Sequence, residues 1–273
     1  MLCMQKLKRF SLLFLFLFTL PIAIGQLPFP NNEFSEKPKE PAHVVYAASQ
    51  VLSTQQPLIQ TNVPFHVLML YTHSHESYKP VVAQSKGLQE VYDDQTNIYS
   101  MQQMMQHYFQ LNQITSSVVD FDVMTELKST GAKMYQAYGV MRPVLATKLS
   151  GENYDLVIDF HRDSATSKVT TLESNGERFA KIAFVVGAKH AGYEANLTYA
   201  TALSEQLNRM MPGISRGVIK KEGEGVNGVY NQDLSPKMVL IELGGIDNTK
   251  EEIERTMAIL AQAIRKAFME ITV

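Results

Sequence analysis

The sequence predicts an α/β fold: a single three-layer domain with a mostly parallel central sheet flanked by helices and a metal site at the carboxyl edge of its strands. Three observations carry that expectation. Residues 67–71, 154–160 and 238–243 are largely apolar runs, the pattern of strands buried on both faces of a parallel sheet. Each run delivers metal-competent or acid–base side chains to its end: His73 with His75 and Glu76, then His161, then Glu242. Between the runs lie segments of helical period. Parallel strands joined by helical crossovers align their carboxyl ends on one edge, where open α/β sheets bind ligands.

Size and composition bound what the domain can be. A chain of 273 residues is long enough to bury a sizeable core. A formal net charge of -2 and a pI near 6.4 leave no basic footprint for nucleic acid. The single cysteine, Cys3, lies in the leader, so the mature chain can have neither a disulfide nor a cysteine-held zinc. Any metal must be held by His, Asp or Glu. Lys6, Lys8 and Arg9 precede an uncharged run over residues 10–25, rich in Leu and Phe, which reads as an export signal. Ala23 and Gly25 offer cleavage positions; the other reading is a retained membrane anchor, although the run is short for a spanning helix of about 20 residues and Pro21 interrupts its end. Both readings place the bulk of the chain outside the cytoplasm. The expected domains are a signal sequence or anchor at 1–25, a polar Pro-rich tether at 26–62 and a catalytic domain at 63–273.

Taken in order, the tether carries Pro28, Pro30, Pro38, Pro41 and Pro57 among polar residues, with at most a short helix near residues 44–52. After the first strand and its polar cluster, residues 78–97 read as loop. Residues 98–112 read as helix, with Met101, Met104, Met105, Tyr108 and Leu111 on one stripe. That stripe is core rather than a cofactor box, and His107 is an ordinary helix histidine. Residues 117–123 alternate Val118, Val119, Phe121 and Val123 and suggest a second strand. Residues 132–149 suggest a helix with Met134, Ala137, Tyr138, Met141, Val144 and Leu145 as its buried stripe and Pro143 as its weak point. Asn175-Gly176 between strand-like runs at 168–172 and 178–186 is a strong hairpin signal. Residues 192–211 read as a helix stopped by Pro212 and Gly213, which argues against Asn196 as a glycosylation acceptor. Residues 223–228, rich in glycine, read as a loop, the other reading being a flexible rim near the substrate. Beyond the third strand, Gly244 and Gly245 allow a tight turn, and Asp247, Asn248 and Thr249 can cap a last helix whose first turn is acidic at Glu251 and Glu252.

The strand-end residues suit one chemistry. Catalytic zinc takes three protein ligands, commonly two His and a Glu, and keeps a fourth position for water. His73, Glu76 and His161 supply such a set, and Glu242 supplies a carboxylate to move the proton from water to a leaving amine. A Glu between Ile241 and Leu243 is costly without a charge partner or a catalytic task. Asp159, two residues before His161, falls on the same strand face and can orient that imidazole. His75 is either a ligand in place of Glu76 or a side chain facing substrate or solvent. The plain alternative is that each is a strand-end polar residue bonded to backbone. A serine hydrolase built on Ser77 or Ser164 lacks the Gly-x-Ser-x-Gly elbow.

At Thr72-His73 with Glu76-Ser77-Tyr78, at Asp159-Phe160-His161-Arg162-Asp163, at Tyr230-Asn231-Gln232-Asp233-Leu234-Ser235-Pro236, and at Ile241-Glu242-Leu243-Gly244 with Asn248-Thr249, the chain resembles the stage II sporulation protein P family, related to zinc-dependent N-acetylmuramoyl-L-alanine amidases. The resemblance runs over about residues 63–273. It implies a zinc-dependent hydrolase that cleaves the amide between N-acetylmuramic acid and L-alanine of peptidoglycan in the cell wall, during forespore engulfment in sporulation. It further implies an envelope location, often membrane-anchored, with a lytic transglycosylase and a membrane scaffold of the engulfment machinery as partners. Within the motifs, Asp159, Arg162, Asp163 and Asn231 become candidates to support the ligands or touch substrate. Members usually carry a His two places before the one matching His73; here that place is Tyr71, and His75 fills one of the variable positions before Glu76. A zinc peptidase acting on stem cross-links, or a wall-binding relative without turnover, are the alternative functions.

Overall fold

Strands form where the apolar runs predict them. The structure, a computed structural model, describes residues 59–60 and 64–271, which all lie in the larger, His43–Val273, of the two units into which the chain divides. The leader, most of the tether and the short helix expected near residues 44–52 fall outside the described residues. β1 (Ile59–Gln60) pairs antiparallel with β10 (Glu270–Ile271). β2 (Phe65–Leu70), β4 (Leu156–Asp163) and β9 (Met238–Gly245) lie side by side and parallel at the centre of a six-stranded sheet. β3 (Ile114–Val118), β7 (Ile182–Gly187) and β8 (Ser215–Lys221) complete it in the order β3-β2-β4-β9-β7-β8. Only the β7–β9 junction is antiparallel, so the sheet is mostly parallel, as expected.

Two helical layers cover the sheet. α2 (Gln102–Leu111), α6 (Tyr193–Met210) and α7 (Lys250–Phe268) pack on the face formed by Val67, Met69, Ile158, Phe160, Val239 and Ile241. α3 (Val123–Thr130) and α4 (Ala137–Gly151) cover the other face, against Leu68, Leu70, Val157 and Met238. Successive strand residues alternate faces, and both faces are apolar because both are covered. Each large side chain fully buried here stabilises the fold by about 1.5–3 kcal/mol. α7 begins as its sequence indicates: Thr249 accepts from the Glu252 backbone N–H, and the Glu252 carboxylate accepts from the Thr249 N–H. The hairpin of β5 (Thr171–Ser174) and β6 (Glu177–Ala180) turns at Asn175 and Gly176, both left-handed with φ of 53° and 77°; α5 (Ser167–Thr170) precedes it. Residues 223–228 are loop. Among the described residues, no helix is long and apolar enough to cross a membrane.

Several elements differ from the expectation. Residues 79–86 form α1 (Lys79–Lys86) instead of loop: Pro80 sits in its first turn, Gly87 closes it, and only Val82 is buried, so an apolar stripe was missing from the sequence. The second strand lies at 114–118 rather than 117–123. Asp122 caps α3 by accepting from the Thr125 N–H, which turns Val123 into a helix residue. β8 was not expected at all; as an edge strand with Arg216, Lys220 and Lys221 it lacks an apolar run. Leu111 and Met134 are exposed rather than part of their stripes, and α4 continues through Pro143. Asn196 is fully buried and its Nδ2 donates to the carbonyls of Ser235 and Met238, consistent with its rejection as a glycosylation acceptor.

Candidate metal centre

β4 and β9 pair with His161 opposite Glu242. The strand period of two therefore puts Asp159, His161 and Glu242 on one face, the one carrying α4. After β2 the chain makes a tight turn in which the Glu76 N–H donates to the His73 carbonyl at 3.0 Å, and this turn brings both side chains to the sheet edge. One donor atom from each of His73, Glu76 and His161 lies within 4.8 Å of the other two. Among the described residues it is the one cluster of this kind. The Glu76 carboxylate sits between the rings, Oε1 3.3 Å from His73 Nδ1 and Oε2 3.6 Å from His161 Nδ1. The two rings are 4.9 Å apart, centre to centre, at 83°.

Burial alone would push the Glu76 carboxyl up, but hydrogen bonds from His161 and His73 outweigh it and hold the group well below the ordinary range. His161 is 2% exposed. Burial pushes its imidazole down, and the Asp159 and Glu76 carboxylates overcome that and raise it well above its usual value. Asp159 is fully buried and accepts from the Thr72 N–H at 2.9 Å and the Thr72 hydroxyl at 2.7 Å, with Oδ2 3.2 Å from His161 Nε2. It ties the end of β2 to the ring of His161. Arg162 reaches the cluster through its backbone, donating its N–H to Glu76 Oε2 at 2.8 Å. Its guanidinium is buried too, donating to the Val91 carbonyl at 2.7 Å and lying 5.5 Å from the Tyr92 ring centre. Asp163 is turned toward β8, where it accepts from Arg216 at 2.5 Å.

Glu242 has no such support. Its Oε2 is buried without a hydrogen-bond partner. Burial pushes its carboxyl up to about 7, with Glu76 and Asp163 adding to the shift and His161 opposing it. A carboxyl poised near neutrality beside a polar cluster suits proton transfer.

Not every expected residue joins. The His75 ring lies with Nε2 2.9 Å from Asp122 Oδ2, and that carboxylate also accepts from the Ser74 hydroxyl and caps α3. These partners hold Asp122 down at about 2, against the opposing effect of burial. Tyr71 is fully buried, its hydroxyl donating to Met105 Sδ at 3.2 Å. His107 is on the exposed side of α2. Ser77 is buried and donates to the His75 carbonyl. Asn231 stands apart from the cluster and donates from Nδ2 to the Tyr138 carbonyl at 2.8 Å. Tyr138 itself went unrecognised in the sequence, where it reads as part of a helix stripe. Its ring lies 5.6 Å from that of His73 and 6.2 Å from that of His161. The available signal was that a buried tyrosine needs a partner for its hydroxyl.

The donor set fits a zinc-type ion: two imidazoles and a carboxylate from segments far apart in the chain, with a fourth group, Glu242, left unpartnered beside them. A sequence model described as stage II sporulation protein P (SpoIIP) matches residues 30–265. Stage II sporulation protein P of Bacillus subtilis (strain 168) is 33% identical over 205 residues, covering 75% of this chain and 51% of that protein, so the chain spans about half the length of this curated relative. Among solved structures, the CwlD amidase from Clostridioides difficile, in complex with the GerS lipoprotein, is 12% identical with a TM-score of 0.45, covering 74% of this chain and 97% of that one. Cwp6 from Clostridium difficile is likewise 12% identical, with a TM-score of 0.44 over 76% of this chain and 30% of that one.

Proposed function

The chain belongs to the stage II sporulation protein P family, and on that footing we propose that it is an exported cell-wall hydrolase, zinc-dependent, cleaving the amide between N-acetylmuramic acid and L-alanine of peptidoglycan. The observation that carries the reading is the unpartnered Glu242 carboxylate oxygen beside the His73–Glu76–His161 cluster. His73, Glu76 and His161 would hold the ion. Zinc bound there would supply a Lewis acid for the scissile carbonyl and lower the pKa of the attacking water.

The chain's own groups account for the rest. The Glu242 carboxylate takes a proton from the water as its oxygen attacks the carbonyl carbon, then returns it to the departing nitrogen. The C–N bond breaks, leaving a lactyl carboxylate on the sugar and a free amino group on L-alanine. Asp159 keeps the His161 ring oriented from its Nε2 side. The Arg162 N–H fixes one oxygen of Glu76.

The reading carries with it a leader at 1–25 that exports or anchors the chain, a tether at 26–62 and an amidase domain at 63–273. Its setting is sporulation, with a lytic transglycosylase and a membrane scaffold of the engulfment machinery as partners. Digestion of purified sacculi followed by mass spectrometry tests it. New lactyl ends with free L-alanine amino groups are expected. Cut stems without those ends would mean a peptidase, and pelleting with the wall without release would mean a binder.

A further inference from the structure

Tyr138, at the start of α4, touches both histidines of the cluster. Its ring is nearly parallel to that of His161, at 20°, and inclined at 63° to that of His73. Its hydroxyl lies 3.5 Å from His161 Nε2, and the residue is 9% exposed. Among the described residues no other tyrosine or phenylalanine ring packs on both imidazoles. His73 stands in a turn rather than a strand, so its ring depends on neighbours for its orientation.

Tyr138 is itself gripped from behind. Asn231 donates to its carbonyl, and the Tyr230 ring meets its ring edge-on at 5.2 Å. Tyr230 and Asn231 are consecutive non-glycine residues in the left-handed region, with φ of 54° and 56°. That conformation costs energy and persists only where the surroundings enforce it. The enforcement is visible one helical turn along α4: Arg142 donates to both Asp233 oxygens, at 2.9 and 2.6 Å, and to Asn231 Oδ1 at 3.3 Å.

We infer that Tyr138 is a positioning residue of the metal centre, whose ring sets the spacing and planes of the His73 and His161 imidazoles, and that the Tyr230–Asn231 turn, latched by Arg142 and Asp233, sets Tyr138. This rests on the metal-site reading above and adds a role for residues outside the ligand set. Metal ligands must be held to within about 0.5 Å by their supporting shell, and removing such support typically costs 10–100-fold in metal affinity.

The test uses the full chain and its variants with zinc and cobalt(II), measuring affinity by chelator competition and coordination geometry by the cobalt absorption spectrum. Tyr138→Leu, which loses the ring, should bind roughly 10–100-fold more weakly, with an altered spectrum. Tyr138→Phe, which keeps the ring, should restore affinity and spectrum. Asn231→Gly keeps the left-handed backbone at no steric cost but removes the amide that holds Tyr138; it should show a smaller loss of affinity while the metal-free chain still unfolds in one cooperative transition. This variant decides the matter should Tyr138→Leu fail to fold. Wild-type affinity and spectrum in both Tyr138→Leu and Asn231→Gly would overturn the positioning role alone. A wild-type chain that takes up neither metal would overturn the metal-site reading, and the positioning role with it.

Discussion

The apolar middles of the sheet, residues 67–70 of β2, 156–158 of β4 and 238–241 of β9, bury only aliphatic and methionine side chains, whereas farther toward the carboxyl ends β4 buries Asp159 and His161, β9 presents Glu242, and the turn just past β2 buries Glu76. The same three strands thus do two opposite things. Their middles stabilise the fold through burial, at about 1.5–3 kcal/mol for each large side chain. Their ends work against it, because a buried polar group without a partner costs about 1–3 kcal/mol and an ionised one more. Glu242 is the clearest case. The middles hold the ends in a geometry that the ends alone would not keep.

Four substitutions or conditions separate the two regions. The largest effect is expected at the ends: Glu242→Gln should lower turnover roughly a hundred- to ten-thousand-fold while retaining metal and leaving the melting temperature equal or higher. Wild-type rates would remove Glu242 from the chemistry. In the middles, Ile158→Ala should cost about 2–5 kcal/mol of stability in denaturant unfolding; a loss confined to activity would mean that the middles too serve the site directly.

Titration separates the regions again. Because the folded-state carboxyl of Glu242 is raised from its ordinary value to about 7 by burial, it favours the metal-free fold most below its unfolded pKa. That contribution is lost as pH rises toward about 7. Metal-free wild type should therefore lose stability relative to Glu242→Gln between about pH 4.5 and 7. Turnover runs the other way, since a base must be ionised: it should fall as the pH drops through the pKa of Glu242, at or below about 7 once a cation sits beside it. Parallel stability profiles for the two chains would contradict the burial of an unpartnered carboxyl. The smallest effect is expected at Asp122→Ala, which removes the cap of α3 and the partner of His75. It should cost about 1 kcal/mol of stability and leave metal affinity unchanged, whereas a lost metal would bring His75 back as a ligand.

What was legible in the sequence follows the same division. β2, β4 and β9 stood out because a strand covered on both faces must be apolar throughout, and the site stood out because His and Glu interrupt those runs at their ends. β8 was not legible, since its edge position tolerates Arg216, Lys220 and Lys221. Nor was α1, which buries Val82 alone. The strand expected through Val123 ended early because Asp122 caps a helix, a side-chain event that alternation does not register. The convergence of His73, Glu76 and His161 needed only parallel crossovers to be foreseen. The direction of His75 toward Asp122, and the packing of Tyr138 on two imidazoles, depend on the loop and helix that bring those partners in, and residue spacing does not encode that.

The most direct test is metal content per chain, measured by mass spectrometry after loading with zinc and removal of the excess. Wild type and Glu242→Gln should each retain about one zinc, as expected for a site with three protein ligands, and His161→Ala should retain far less. A full zinc complement in His161→Ala, or none in the wild type, would contradict a metal held between His73, Glu76 and His161.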